Sequence, residues 1–273
     1  MPEKVIVITG ASSGIGAAAA RILKSDGHHV VIVGRSPART KKIAGELGAP
    51  YFLADFAKLD DVRTLADLLQ SAFPRIDVLA NNAGGMMGDR TLTVDGNELT
   101  VQVNHLAPFL LTNLLLETLA ASRASVIATS SVAHRVSGHL NFDDFTMARH
   151  YSPQRAYGRA KLMNILFTKE LDARFHAEGI SSASFHPGAV RTRFSTEFGG
   201  ILTTAYSSLF KQMMRSPARG AKTMVWLAES SPGQEWHSGQ YYKDEKIARG
   251  SKQTANAELA RRLWDLSSQL TNS

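Results

Sequence analysis

Short runs of apolar and β-branched residues recur along the chain. They are Val5–Thr9, His29–Gly34, Tyr51–Ala54, Ile76–Asn81, Ser125–Ser130 and Ile180–Phe185. Several runs are apolar almost throughout instead of alternating, as in parallel strands that helices cover on both faces. The pattern therefore predicts buried β-strands at these positions.

The segments between these runs place apolar residues at the spacing of an amphipathic helix. They are Ile15–Lys24, Ala38–Leu47, Val62–Ala72, Asn97–Leu119, Gln154–Phe175 and Ala218–Ala228. Strands and helices alternate, and no repeat or linker divides the chain. We expect a single α/β domain over residues 1–273 with a Rossmann fold: a doubly wound, mostly parallel sheet of about seven strands with helices on both faces.

Two stretches, residues 133–152 and 189–215, interrupt this alternation. Both follow predicted strands, and loops beyond the carboxyl ends of parallel strands form the ligand crevice of an open sheet. The second stretch carries large apolar side chains: Phe194, Phe198, Ile201, Leu202, Tyr206, Leu209, Phe210, Met213 and Met214. They could cover a bulky hydrophobic ligand or pack on the core, and both interpretations stay open.

Composition narrows the class of protein. Hydrophobic residues make up 44% of the chain and charged residues 20%, which is ordinary for a globular protein and excludes a disordered one. The chain has no cysteine, which excludes disulfides, thiolate metal sites and a cysteine nucleophile and fits a cytoplasmic protein. No His-Glu-x-x-His or comparable cluster occurs, so we expect no metal.

The N-terminus, the most apolar stretch and the net charge narrow the possible locations and partners of the protein. The first predicted strand starts at Val5, which leaves no room for a secretory signal. The most apolar stretch, residues 106–121, is too short to span a membrane, so we expect no membrane anchor. The net charge of +7 is scattered along the chain, which argues against nucleic acid as a partner and allows an anionic cofactor.

A glycine-rich turn joins the first predicted strand to the first helix. It reads Gly10-Ala11-Ser12-Ser13-Gly14-Ile15-Gly16 and delivers helix N-terminal N–H groups to one point, which suits a pyrophosphate. Gly10 permits the tight turn, and Gly14 lets the backbone approach the phosphate closely. Gly16 allows the helix to pack closely on the strand. Alone, such a turn is equally often structural, but its place in the first βαβ unit favours dinucleotide binding.

Arg35 follows the second predicted strand, where an NAD-selective site carries an acid for the ribose 2′-hydroxyl. Its guanidinium suits a 2′-phosphate instead, which predicts NADP(H); the alternative is a solvated surface arginine. Asp55 ends the third strand, where it could accept a hydrogen bond from the adenine amino group or cap the next helix.

Five further motifs follow in order. They are Asn81-Asn82-Ala83-Gly84, Asn104, Ser130-Ser131, Tyr157-Gly158-Arg159-Ala160-Lys161 and His186-Pro187-Gly188. With the glycine turn, their order and spacing resemble the short-chain dehydrogenase/reductase family from Lys4 to about Leu270. The segments 103–106, 130–134, 141–144 and 161–166 are similar to the retinol dehydrogenase-like branch of that family.

Tyr157 and Lys161 are four positions apart on a predicted helix, so their side chains share a face. A free tyrosine has a pKa of about 10, and a nearby ammonium group stabilises the phenolate and lowers that pKa. Tyr157 would then donate a proton to a carbonyl oxygen in reduction, or remove the proton of an alcohol in oxidation.

The resemblance implies further roles. Lys161 would bind the nicotinamide ribose, Ser131 rather than Ser130 would hold the substrate oxygen, and Asn104 would kink its helix and hold a water that connects Lys161 to solvent. The residues expected to border the cofactor are Asn82, Ala83, Gly84, Pro187, Gly188, Val190 and Thr192. His186 is expected to be structural.

Together these features predict an oxidoreductase that transfers hydride between NADP(H) and a lipophilic carbonyl or alcohol. The alternatives are a catalytically silent NADP(H)-binding sensor or scaffold, against which the complete set of Asn104, Ser131, Tyr157 and Lys161 argues, and a nucleotide-sugar epimerase or dehydratase, which is usually longer. Oligomers are common in the family, and their dimer faces are usually the fourth predicted helix, Asn97–Leu119, and the helix that carries Tyr157. The resemblance therefore implies a homo-oligomer as one possible assembly.

Overall fold

One sheet of eight strands runs through the middle of the fold. The strands are β1 (Val5–Thr9), β2 (His29–Gly34), β3 (Tyr51–Leu53), β4 (Val78–Asn81), β5 (Ser125–Thr129), β6 (Ser181–His186), β7 (Gln240–Lys243) and β8 (Lys246–Ile247). The computed structural model describes residues 2–136, 138–190 and 215–272. Within them the strand order is β3-β2-β1-β4-β5-β6-β7-β8.

The strand order reverses beside β1, which pairs with β2 on one side and with β4 on the other. Strands β1 to β7 are parallel, and β8 is antiparallel to β7. In such a sheet the connections diverge at the reversal, and a crevice opens beyond the carboxyl ends of the strands there. The predicted doubly wound Rossmann fold with a mostly parallel sheet is confirmed.

The sheet has one strand more than predicted, and the apolar pattern locates neither of the last two strands. Strand β7 is polar at both ends and only four residues long, so it presents no apolar run. Its centre is nevertheless buried, with Tyr241 at 5% and Tyr242 at 2% exposure. Strand β8 has two residues and closes the edge of the sheet.

Helices cover both faces of the sheet. In the described residues they are α1 (Gly14–Ser25), α2 (Pro37–Leu47), α3 (Leu59–Ala72), α4 (Leu99–Val101), α5 (Ala107–Leu114), α6 (Leu116–Ala121), α7 (Pro153–Phe175), α8 (Pro217–Glu229) and α9 (Ala257–Thr271), with 3₁₀ turns at Val132–Val136, Phe142–Asp144 and Lys252–Ala255. Helices α7 and α8 begin alike, with a capping serine followed by proline. None of these helices is long and apolar enough to cross a membrane.

The segment predicted as one helix over Asn97–Leu119 is broken, so that prediction is wrong. A π-helical turn over Gln102–Leu106 separates α4 from α5. Asn104 lies in this turn, and its amide group donates to the carbonyl oxygen of Thr100 at 2.8 Å. A polar side chain that bonds the preceding turn bends a helix, and single π turns occur frequently at functional sites. The π turn thus lies at the residue where the resemblance implied a kink.

The C-terminal helix α9 packs on the outside of α7 through an aromatic residue. Trp264 is 7% exposed. Its ring stacks on Phe167 with 5.8 Å between centroids and meets Phe109 edge-on at 4.9 Å. The predicted elements omit this helix, although its apolar residues follow helical spacing.

Replacing Trp264 by alanine should lower the free energy of unfolding by about 3–5 kcal/mol, because the substitution removes the indole from a closed aromatic cluster. Urea unfolding followed by circular dichroism measures the change. The matched control is Gln269→Ala, an exposed position on the same helix, which should stay within about 0.5 kcal/mol of wild type. Equal effects of the two substitutions would contradict a structural role for α9.

Candidate active site

A cleft of about 590 Å³ opens where the strand order reverses, at the carboxyl ends of β1, β4, β5 and β6. Its lining comes from the turns after these strands and from α7: Gly10, Ser13, Gly14, Ile15, Asn82, Ala83, Gly84, Gly85, Met86, Thr129, Ser131, Val132, Tyr157, Lys161 and residues 186–190. The fold therefore brings the glycine turn, the Asn-Ala-Gly turn and the Ser-Tyr-Lys set into one site.

The glycine turn is held against the turn after β4 by close backbone packing. Gly10 has φ +66°, and a Cβ there would lie 2.8 Å from the Cα of Ala83. A Cβ on Gly16 would lie 2.6 Å from the side-chain nitrogen of Asn82. The hydroxyl of Thr9 accepts the N–H groups of Asn82 and Ala83, each at 3.0 Å. Any side chain at either glycine would push the two turns apart.

The N-terminus of α1 borders this cleft without a side-chain cap. Its N-cap residue Ser13 makes no side-chain capping hydrogen bond, whereas Ser152 and Ser216 cap α7 and α8. Gly14 and Ile15, the first residues of α1, both line the cleft. The first N–H groups of a helix need acceptors and carry partial positive charge. This end of α1 therefore fits the phosphates of a dinucleotide.

A smaller cavity of about 200 Å³ shares Gly10 with the cleft and extends toward the end of β2. Its lining includes Ser12, Arg35, Ser36, Arg39, Asp55 and Phe56. Arg35 was predicted to lie here from the sequence, whereas Arg39 was not. A signal was present, because Pro37 starts a helix and Arg39 lies in its first turn, where a side chain can reach the same cavity. Two guanidinium groups therefore border this cavity.

Asp55 lies in the smaller cavity, and the interpretation of it as a helix cap is wrong. Helix α3 begins only at Leu59, with Lys58 as its N-cap residue. The carboxylate of Asp95, from a distant turn, accepts the N–H of Leu59 at 3.1 Å instead. One carboxylate oxygen of Asp55 lies 4.0 Å from the guanidinium of Arg35. Asp55 thus contributes charge to the cavity and does not start a helix.

Ser131, Tyr157 and Lys161 meet on one wall of the larger cleft. The ammonium nitrogen of Lys161 lies 5.3 Å from the centroid of the Tyr157 ring. It donates to the carbonyl oxygen of Thr129, the last residue of β5, at 3.1 Å. Ser131 follows β5, and its hydroxyl is hydrogen-bonded to the phenol of Tyr157. Two hydroxyl groups and one amine are thus brought together on this wall of the cleft.

Burial changes the protonation of this group. Desolvation raises the pKa of the Tyr157 phenol to about 12, and the smaller effect of the Ser131 hydrogen bond lowers it. Lys161 is 2% exposed, and desolvation lowers the pKa of its ammonium group to about 7. The lowering of the tyrosine pKa expected from the lysine is therefore not found in the protein alone. Surroundings of low polarity disfavour the charged form of both residues.

The two adjacent serines after β5 have different surroundings. Ser130 is fully buried, and its hydroxyl donates to the carbonyl oxygen of Lys161 at 2.8 Å. Ser131 lines the cleft. Only the second hydroxyl is therefore available to a ligand, in agreement with the assignment that the family resemblance implies.

Asn104 lies behind the cleft wall and lines neither cavity. Its side-chain oxygen accepts the N–H of Gly85 at 3.0 Å, and its amide group donates to the carbonyl oxygen of the same residue at 2.7 Å. A Cβ on Gly84 would lie 2.4 Å from this side-chain oxygen and 3.4 Å from the Lys161 nitrogen. Asn104 therefore braces the Gly84–Gly85 turn close to Lys161.

The segment after β6 completes the far wall with residues 186–190. His186 is 6% exposed, and burial lowers the pKa of its imidazole to about 4, so the ring is neutral. It lines the cleft, which the sequence alone did not predict. Val190 is bridged to Arg215 at the start of α8. Thr192 and the apolar positions between 194 and 214 lie outside the described residues.

Comparison with protein-family models gives one match over most of the chain. The model described as short chain dehydrogenase matches residues 4–199. These residues include the glycine turn, Ser131, Tyr157 and Lys161. The match thus covers the motifs on which the sequence resemblance rests.

Individual relatives match nearly the whole chain. A protein of Streptomyces sp. (strain C5), provisionally named daunorubicin C-13 ketoreductase DnrU, is 44% identical over 98% of this chain and 92% of its own length. Human retinol dehydrogenase 13 is 36% identical over 99% of this chain and 85% of its own. The crystal structure of an uncharacterised protein from Mycobacterium paratuberculosis superposes with a TM-score of 0.80 at 31% identity, covering 100% of this chain and 96% of that one.

Replacing Lys161 by methionine should stabilise the cofactor-free protein, because it removes an amine whose charged form is costly to bury. With a folded pKa of about 7 against an unfolded value near 10.5, the wild-type penalty is complete below pH 7 and fades as pH rises toward 10.5. The advantage of Lys161→Met in urea midpoint should therefore be largest at pH 6 and small near pH 10.

The control for that series is Lys169→Met, a partly exposed position on the same helix. Its urea midpoint should differ from wild type by a similar amount at every pH. A Lys161→Met protein that is less stable than wild type at pH 6 would contradict the buried-charge account.

Proposed function

This chain belongs to the short-chain dehydrogenase/reductase family of oxidoreductases, in its retinol dehydrogenase-like branch, and on that premise we propose that it reduces lipophilic carbonyl compounds with NADPH. The observation that carries the proposal is the convergence of Ser131, Tyr157 and Lys161 on the cleft that the glycine turn also lines. The reverse reaction, oxidation of the corresponding alcohol with NADP⁺, uses the same residues.

Tyr157 is the proton donor of the proposed reaction. When bound, the nicotinamide cofactor supplies the hydride that reaches the carbonyl carbon. The phenol gives its proton to the carbonyl oxygen as negative charge develops there. Its raised pKa, about 12 in the protein alone, keeps the phenol protonated at neutral pH, which is the form that reduction requires.

Ser131 and Lys161 support this proton transfer. The Ser131 hydroxyl is bonded to the phenol in the protein alone. With substrate bound it would turn its single proton to the same carbonyl oxygen and stabilise the developing charge there. Lys161, 5.3 Å from the ring centre, is placed to stabilise the phenolate that is left after transfer. Asn104 acts through the Gly84–Gly85 turn, which it fixes close to the lysine.

The two cavities divide the proposed cofactor site between them. The uncapped end of α1 would hold the pyrophosphate, with Ala83 and residues 187–190 beside the adenosine and nicotinamide halves. Arg35 and Arg39 border the smaller cavity, which suits a 2′-phosphate carrying negative charge. Asp55, 4.0 Å from Arg35, would keep that guanidinium at the mouth of the cavity. These charges support NADP(H) as the cofactor.

Apolar side chains support a lipophilic substrate. Met86 and Val132 line the cleft next to Ser131 and Tyr157, and Val132 leaves 46% of its surface exposed. An exposed apolar residue beside polar catalytic groups is typical of a site that accepts a hydrophobic body and orients one polar atom. The names of two relatives, a daunorubicin ketoreductase and a retinol dehydrogenase, suggest daunorubicin and retinal as probes.

Purified protein should oxidise NADPH in the presence of aldehydes, ketones, quinones, retinal or daunorubicin, with rates rising with the size of the apolar group. Tyr157→Phe should lower turnover by at least about a hundredfold, since it removes the proton donor but keeps the ring. The decrease of NADPH absorbance measures both. NADPH binding without turnover on any of these carbonyls would contradict the reductase proposal and favour a sensor or scaffold.

Replacing Arg35 or Arg39 by alanine should raise the KM for NADPH about tenfold and leave the KM for NADH unchanged, because only the 2′-phosphate loses a charge-assisted hydrogen bond. Arg35→Lys should recover part of the loss, since it restores charge without the planar fork. The control is Arg261→Ala, an exposed arginine on α9 that lines neither cavity. An unchanged ratio of the two KM values in both alanine variants would contradict the NADP(H) assignment.

A further inference from the structure

His134 occupies a buried position directly behind the Ser131 segment. It lies in the 3₁₀ turn that follows Ser131 and has no exposed surface. Burial lowers the pKa of its imidazole. A phenylalanine or leucine would fill such a position without the cost of desolvating a polar ring. The polar ring therefore needs an explanation in terms of the atoms it bonds.

Two backbone groups fix the tautomer of this ring. Its Nδ1 lies 2.5 Å from the carbonyl oxygen of Ser131, which can only accept, so Nδ1 carries the proton. The N–H of Ser251 donates to Nε2 at 3.2 Å, so Nε2 is unprotonated. The neutral imidazole is thus hydrogen-bonded to the Ser131 peptide on one side and, on the other, to Ser251, which precedes the 3₁₀ turn Lys252–Ala255.

The position of Ser131 depends on restraints from both of its neighbours. On the β5 side, the N–H of Ser130 donates to the carbonyl oxygen of Phe185 at 2.8 Å, as the last ladder bond. On the far side, and within the described residues, His134 bonds the carbonyl oxygen of Ser131 twice, through its N–H at 3.2 Å and through Nδ1 at 2.5 Å. The Nδ1 bond therefore fixes the Ser131 peptide and the turn that follows it, and within that turn the N–H of Ala133 donates to the Ser131 hydroxyl at 3.2 Å.

The loop that holds Nε2 is itself tied to the same surface. Gln253 accepts the N–H of Leu140 at 2.9 Å and donates to the carbonyl oxygen of Gly138 at 2.8 Å. The ring of Tyr241, on β7, packs edge-on against His134 with 5.3 Å between centroids. The histidine thus connects a firmly anchored C-terminal loop to the residue beside the reacting atoms.

We propose that His134 is a positioning residue for carbonyl reduction: clasped between Ser131 and Ser251, its neutral ring aims the Ser131 hydroxyl at the substrate oxygen. The inference rests on the proposed function, since it assigns Ser131 a substrate oxygen to bind. The expected consequence is specific. Loss of the Nδ1 bond should lower kcat, whereas loss of the Nε2 bond should mainly lower stability.

Two amide substitutions separate these bonds. In His134→Asn the side-chain amide nitrogen can replace Nδ1 and keep the bond to Ser131, while in His134→Gln the amide reaches the Nε2 position near Ser251. Removal of one donor to the developing oxyanion costs about a hundredfold to a thousandfold in kcat, and misdirecting that donor should cost about tenfold or more. His134→Gln should show such a loss for the carbonyl that wild type reduces fastest, and His134→Asn should retain kcat within about threefold of wild type. The dissociation constant for NADPH should be unchanged in both.

A pH profile gives a readout that a purely structural role would not move. Oxidation needs the Tyr157 phenolate, and the Ser131 hydrogen bond lowers the pKa of that phenol. In His134→Gln the midpoint of alcohol oxidation should therefore shift to higher pH, while His134→Asn keeps the wild-type midpoint. Gln253→Ala is the control, because it removes bonds to the same loop but none to Ser131.

The outcomes are distinguishable. Equal kcat values for His134→Asn and His134→Gln, or a loss of kcat in Gln253→Ala as large as in His134→Gln, would overturn the positioning role while leaving the proposed function intact. Absence of carbonyl turnover in wild type would contradict the proposed function, and the role of His134 would fall with it. A selective loss of kcat in His134→Gln with a raised oxidation midpoint supports the proposal.

Discussion

The contact between the turn after β1 and the turn after β4 determines the geometry of the whole site. The two turns can approach this closely because both contacting residues of the first turn region are glycines. A Cβ on Gly10 would collide with the backbone of Ala83, and a Cβ on Gly16 would collide with the side-chain amide of Asn82. Hydrogen bonds extend this contact toward Lys161. The Thr129 hydroxyl donates to the side-chain oxygen of Asn82 at 3.4 Å, and the Thr129 carbonyl oxygen accepts a hydrogen bond from the Lys161 ammonium group at 3.1 Å. A shift in the glycine turn would therefore move both the uncapped end of α1 and the lysine.

The group formed by Ser131, Tyr157 and Lys161 is assembled at a cost to stability. Lys161 is enclosed without a carboxylate partner among the described residues, and its ammonium is bonded only to the carbonyl oxygen of Thr129. The amide of Asn164 donates to that oxygen too, at 3.0 Å, which fixes the acceptor from a second direction. A buried group with such a desolvation cost persists when the surrounding structure is rigid and holds it in place. Aromatic packing of α9 on α7 supplies that rigidity on the side of the helix away from the cleft.

The sequence predicts the side of the cleft around the glycine turn and α7 better than the side beyond Ser131. The glycine turn, Arg35 and the Tyr157–Lys161 pair depend on local spacing, and one helix or one strand-to-helix turn positions each of them. Arg39 was missed because an arginine in the first turn of a helix looks like ordinary surface charge. The His134–Ser251 bond joins residues 117 positions apart, so no local pattern indicates it. The π-helical break at Gln102–Leu106 likewise contains Asn104, whose amide bonds Gly85, 19 positions away, in a tertiary contact that no local pattern indicates.

Helix α9 also changes how an oligomer could form. The resemblance implied that the fourth helix and α7 serve as dimer faces, which requires an open apolar surface on both. Here Trp264 covers part of that surface, packing on Phe109 of α5 and on Phe167 of α7. Ser267 of the same helix bonds the buried ring of His105 at 2.9 Å. A partner subunit that approached these helices would therefore meet the polar outer side of α9, or would have to displace a helix held by both aromatic and hydrogen-bonded contacts.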